Sequence, residues 1–138
     1  MRNMGTLVVA SSGNYGDADD ETEEINYPGI FCETIQIGSV SENFSPSNFS
    51  NSNINLNYVT PGENIISNSI KTNQEFISMT GTSMATAVAT GILGLYIDRE
   101  KTNNSFKNID IILKLVEENT LLLSDKKRQF GFGLLQFK

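Results

Sequence analysis

From Ser83 to about Arg99 the run SMATAVATGILGLYIDR sets Ala85, Ala87, Ala89, Gly91 and Gly94 around the whole circumference of a helix, and Ile92, Leu93, Leu95 and Ile97 add bulk toward its far end. A helix with no polar face is one that other elements enclose. Each glycine costs a helix roughly 1 kcal/mol relative to alanine, a cost that makes sense where neighbours pack close against the backbone. The pattern therefore predicts a buried central helix starting at Ser83, and a fold that must wrap around it.

The remaining pattern supplies the wrapping. Thr6–Ala10 is a short apolar run of β character that ends in the turn-forming Ser11-Ser12-Gly13-Asn14-Tyr15-Gly16. Thr34–Val40 alternates as a strand, and Tyr58-Val59-Thr60, Ile65-Ile66-Ser67 and Phe76–Met79 read as further short strands. The Ser/Asn-rich stretch from Ser41 to Asn57 reads as loop with one short strand turn. Asn108 is placed to cap a second helix running to Asn119, with Ile109, Ile112, Leu113 and Val116 on one face and Lys114, Glu117 and Glu118 off it. Strands alternating with helices predict an α/β fold with a largely parallel sheet, whose sites form at the carboxyl ends of strands. At 138 residues the chain is one domain's worth of material.

Composition narrows the function. Ten basic against sixteen acidic side chains give a net charge of -6, and no basic run is present to track phosphates, which excludes nucleic acid as a partner. No apolar run approaches the length of a membrane span, and Met1–Met4 leads into no signal-type segment. The single cysteine, Cys32, allows neither an internal disulfide nor a cysteine metal cluster and reads as a small buried hydrophobe. Between Asp17 and Glu24 every residue but Ala18 and Thr22 is acidic, so that loop repels itself and stays at the surface. It lacks the spacing of a calcium loop. The sequence contains no histidine, so any nucleophile here lacks the usual side chain that accepts its proton.

Ser83 opens the helix in Gly81-Thr82-Ser83-Met84-Ala85. Taken alone, a serine in that place is a helix cap. Asn14, on a turn straight after a strand, is by itself a left-handed turn residue. Together they fit another chemistry, because a side-chain amide held on a turn is what a developing oxyanion needs as a donor.

These segments, in this order, resemble the C-terminal half of the catalytic domain of subtilisin-like serine proteases (subtilases, peptidase family S8). LVVASSGNYG resembles the family's strand and oxyanion-hole loop, YPGIFCETIQIGSV the stretch after it, and NFSNSNINLNYVTPGENIIS its Phe-Ser-Asn and Pro-Gly segment. GTSMATAVATGILGL resembles the nucleophile motif with its buried helix, and NIDIILKLVEENT and FGFGLLQ the closing helix and final glycine-containing strand. The resemblance implies a serine endopeptidase domain, partial over residues 1–138, working by acyl transfer. Ser83 matches the nucleophile and Asn14 the oxyanion-hole donor. Gly13, Asn26, Tyr27, Gly81 and Thr82 match substrate-binding positions: Asn26 and Tyr27 the wall and floor of the main specificity pocket, Gly81 a close approach to substrate, Thr82 the turn.

The resemblance also implies that no cofactor is needed for the chemistry, that structural calcium is compatible though no motif supports it, and that the setting is secreted or cell-envelope. The partners it implies are a peptide or protein substrate and the N-terminal half of the domain, or else self-association. The sequence departs from the family in having Ala87-Val88 where Pro-His usually follows. The family's catalytic aspartate and histidine lie in its N-terminal half, and Met1–Gly5 falls where a preceding helix ends. They are expected from another segment or chain. The alternative is an inactive pseudoprotease or peptide-binding fragment that keeps the groove without the chemistry.

Overall fold

The computed structural model describes residues 5–70, 73, 75–106 and 108–138; the expectation for Met1–Met4 lies outside them. Three strands, β1 (Val8–Ser11), β2 (Thr34–Val40) and β3 (Tyr58–Pro61), form a parallel sheet in the order β1-β2-β3. Val8 to Ser11 lie opposite Thr34 to Ile37, and Ile37 to Val40 opposite Tyr58 to Pro61. All of β2 is buried, as a central strand covered on both faces must be. On one face Ile35, Ile37 and Tyr58 pack against α1 (Thr82–Thr102) and α2 (Ile109–Asn119) through Ala85, Ala89, Leu93, Tyr96, Ile112 and Val116. On the other, Val40, Leu56 and Val59 meet Phe130, at the end of the one-turn helix α3 (Lys127–Phe130), and Leu134.

The strands Ile65–Asn68 (β4) and Phe76–Met79 (β5) do not join this sheet. They pair with each other, antiparallel, as a separate hairpin that leads directly to α1. The glycine-containing C-terminal segment is not a strand either. It contributes two isolated bridges at Leu134, to Val59 and Leu121. Asn108 does cap α2, its side chain accepting from the Ile111 N–H at 3.1 Å.

α1 departs from expectation in two ways. It begins at Thr82 with Gly81 as the N-cap, and it is buried on one face only. Thr82, Ala85, Ala89, Leu93 and Tyr96 are covered by the sheet, whereas Ala87, Gly91, Gly94 and Leu95 are exposed. Among the described residues, nothing beyond the helix's own backbone lies within 4 Å of where a Cβ on Gly91 or Gly94 would stand. The close packing that the glycines suggest is not met by the elements of this chain, because the sheet covers only the opposite side. Cys32 is exposed rather than buried, since it sits in the turn ahead of β2.

Candidate active site

The start of α1 is fixed to the carboxyl end of the sheet. The Gly62 N–H donates to the Val40 oxygen at 3.2 Å, the Gly81 N–H donates to the Gly62 oxygen at 2.8 Å, and the Thr60 hydroxyl donates to the Ala85 oxygen at 2.6 Å. Gly81 has φ 152°, outside the range side chains favour, which only glycine meets without strain. Beside this junction runs the loop that follows β1, where Gly13 has φ 111° and lies against Asn51 and Asn26; a Cβ there would stand 2.4 Å from Asn51 Nδ2 and 3.2 Å from Asn26 Cβ.

Asn14 connects the two. Its Oδ1 accepts from the Thr82 N–H at 2.9 Å and from the Thr82 hydroxyl at 2.8 Å. With the oxygen so engaged, Nδ2 is the end left over, and it has no acceptor among the described residues. The first turn of α1 shows a matching vacancy. Thr82 N–H goes to Asn14, while Met84 N–H and Ala85 N–H both reach the Gly81 oxygen, at 3.0 and 3.3 Å. Among the described residues the Ser83 N–H alone of these has no acceptor. Ser83 is exposed, and the N-cap position is held by Gly81, so the capping role does not belong to Ser83. Two open donors and a hydroxyl thus share a helix N-terminus, where the helix dipole favours negative charge.

Of the residues expected at the site, Gly13, Asn14, Asn26, Gly81, Thr82 and Ser83 are brought to one place. The Tyr27 ring, by contrast, is exposed and packs on Phe31, centroids 5.4 Å apart, and the Tyr27–Pro28 peptide bond is cis. An apolar groove lined by Ile65, Ile66, Met79, Met84, Ala87 and Val88 runs past Ser83.

The acidic loop is not a free solvated arm. Arg128 Nη1 donates to the oxygens of Glu21 at 2.9 Å and Asp20 at 3.3 Å, and its Nε pairs with Glu23 at 3.3 Å. Lys126 pairs with Asp20 at 3.2 Å, and Gln129 Nε2 donates to the Ala18 oxygen at 3.0 Å. Glu24 accepts from the Ser52 N–H at 2.8 Å. The Asp19 N–H and the Thr22 hydroxyl hold the Asp17 carboxyl below the usual carboxylate range. The carboxylates of Asp17, Asp20, Glu23 and Glu24 thus meet the protein's own donors, and among the described residues no group of acidic side chains is gathered as a cation would require.

Ser83 thus stands at a helix N-terminus with open amide donors beside it, at the carboxyl end of a parallel sheet. The model of the subtilase family matches residues 1–133, and the chain belongs to that family. It is 38% identical over 133 residues to the major intracellular serine protease of Bacillus subtilis (strain 168), covering 95% of this chain and 41% of that protein. It is 35% identical to an intracellular serine protease of Paenibacillus polymyxa, over 94% of this chain and 39% of that one. Among solved structures, a lanthipeptide protease superposes with a TM-score of 0.86 at 18% identity, over 97% of this chain and 49% of that chain. The prenylagaramide maturation protease PagA superposes at 0.80 and 20% identity, over 97% and 49%. The chain thus spans about two fifths of the length of the curated relatives it matches. No helix among the described residues is long and apolar enough to cross a membrane.

Proposed function

We propose that this chain supplies the nucleophile and the oxyanion hole of a serine endopeptidase, and that the aspartate and histidine come from a segment outside this sequence. The observation that carries the reading is the pair of open donors, Asn14 Nδ2 and the Ser83 N–H, set beside the Ser83 hydroxyl. In the reaction Ser83 Oγ attacks a peptide carbonyl while the supplied imidazole takes its proton. The carbonyl oxygen, now anionic, accepts from Asn14 Nδ2 and the Ser83 N–H. Collapse returns the proton to the leaving amine, and water then hydrolyses the acyl-enzyme by the same steps. Gly13 and Asn26 line the substrate side, Thr82 orients Asn14, Gly81 admits the substrate backbone, and Tyr27 flanks the pocket. The chemistry needs no cofactor.

Partners on this reading are a peptide or protein substrate and the N-terminal half of the domain. Two settings fit the relatives, since the proteases at 38% and 35% identity are named intracellular and one at 28% extracellular; fractionation of the source cells separates them.

The test is labelling of Ser83 by a fluorophosphonate, with this chain alone and after complementation with an N-terminal half carrying aspartate and histidine. Removing the base from such a centre costs about 10⁶ in kcat, a figure taken from a subtilisin, so the chain alone should stay unlabelled and the complemented form should react rapidly. Rapid labelling of the chain alone would remove the need for a supplied base. No labelling after complementation would favour the peptide-binding alternative.

A further inference from the structure

We propose that Asn51 is the positioning residue for the Asn14 amide, an inference that rests on the proposed role of Asn14. Asn51 is buried, at 1% exposure, and it grips the chain on both sides of Asn14. Its backbone N–H donates to the Gly13 oxygen at 3.1 Å, and its side-chain Oδ1 accepts from the Tyr15 N–H at 2.6 Å. Those two groups belong to the peptide units that flank Asn14, and since each unit is planar, holding both fixes the two soft dihedrals of residue 14. A further bond, Gly16 N–H to the Phe49 oxygen at 3.0 Å, continues the attachment. Gly16 is needed there, because a Cβ would stand 2.2 Å from the Ser50 oxygen.

Asn51 is itself held firmly. The Ser50 hydroxyl accepts from the Ser39 N–H at 3.0 Å, which ties the segment to β2, and the Ser52 N–H is held by Glu24. Thr82 fixes the far end of the Asn14 side chain. The Asn14 amide is therefore located from behind by Asn51 and from the helix by Thr82, with Nδ2 as its one open end. Asn51 Nδ2 is buried without a partner among the described residues. An unpaired buried donor is destabilising, so an asparagine there solely for stability is poorly chosen. Its oxygen is the end that is used.

The experiment uses Asn51→Ser, which keeps the backbone bond to Gly13 but cannot reach the Tyr15 N–H, and Asn51→Asp, which keeps the acceptor. In the complemented protease Asn51→Ser should lower kcat about 10-fold or more, up to the roughly 10² to 10³ assigned to loss of the Asn14 donor itself, with KM within about twofold. In an Asn14→Ala background the same change should cost less than about twofold, because Asn51 acts through Asn14. An equal loss in both backgrounds, or a loss confined to KM, overturns the proposal. A second readout is independent of turnover: amide exchange of Tyr15 should speed up in Asn51→Ser and stay protected in Asn51→Asp. Unchanged Tyr15 exchange in Asn51→Ser refutes the grip even if the native protein shows no turnover, whereas absent turnover with the exchange as expected refutes the protease reading instead.

Discussion

Asn14→Asp separates what the Asn14 side chain does for the fold from what it is proposed to do for catalysis. The oxygen that accepts from the Thr82 N–H at 2.9 Å and the Thr82 hydroxyl at 2.8 Å is present in both residues. As a carboxylate it would hold these donors by charge-assisted bonds, worth about 1.5–3 kcal/mol against about 0.5–1.5 for neutral ones, and it would sit at a helix N-terminus, worth about 0.3–1 kcal/mol. Because Asn14 is exposed, solvent screening reduces the sum, and we take a net gain of about 1 kcal/mol. With a urea slope of about 2 kcal/mol per molar, the midpoint should rise by about 0.5 M. The donors favour the charged form, so the new carboxyl has a lowered folded-state pKa. The gain is present above the unfolded carboxyl's pKa and is lost as pH falls through the lowered folded value, so it should be absent at about pH 2. Catalysis should go the other way: the substitution deletes Nδ2 and puts a negative charge where the oxyanion forms, so kcat of the complemented enzyme should fall by at least roughly 10² to 10³. A midpoint that drops at neutral pH would refute the Thr82 tether, and an unchanged kcat would refute the oxyanion role.

Two further outcomes follow from the packing. Ile112 is fully buried between α2 and the shared core, so Ile112→Ala should cost about 2–5 kcal/mol in urea or thermal melts. Arg128→Ala should release the 17–24 loop that Arg128 holds at Asp20, Glu21 and Glu23, read as faster nicking there by a glutamate-specific protease; raised salt should produce part of the same effect in the native chain, since the ion pairs are screened and the carbonyl contacts are not.

Sequence periodicity locates elements better than it locates their partners. β2 and α2 were legible because a central strand and an amphipathic helix each write their burial into spacing. The pairing of β4 with β5, apart from the sheet, is not written there, since two short apolar runs look alike whichever neighbour they choose. The small residues of α1 announce close packing but not which side receives it, and the structure puts the bare face at Gly91 and Gly94. Ser83 and Asn14 were found from turn chemistry and resemblance. The bond between Asn14 and Thr82 spans 68 positions and leaves no local trace. Asn51 carries no mark of its role inside a Ser/Asn-rich stretch that reads as loop. The signal is only visible in hindsight: Ser47, Ser50, Asn51, Ser52 and Asn53 are all buried, and a polar run is buried only where it has backbone to satisfy.

The spans that build the site also have a consequence in time. Asn14 meets Thr82 across 68 residues, Tyr15 meets Asn51 across 36, and Ala18 meets Gln129 across 111. Each contact closes a long loop before any local structure rewards it, and parallel pairing of β1, β2 and β3 adds more of the same kind. Folding of such a chain is slow, and its helices can form well before the loop carrying Asn14 reaches them. Bonds completed after the rate-limiting step govern how fast the native state comes apart rather than how fast it forms. Cutting the Asn14–Thr82 tether therefore shows where it closes: a change in the unfolding rate alone places it after that step, and a slower folding rate places it within it.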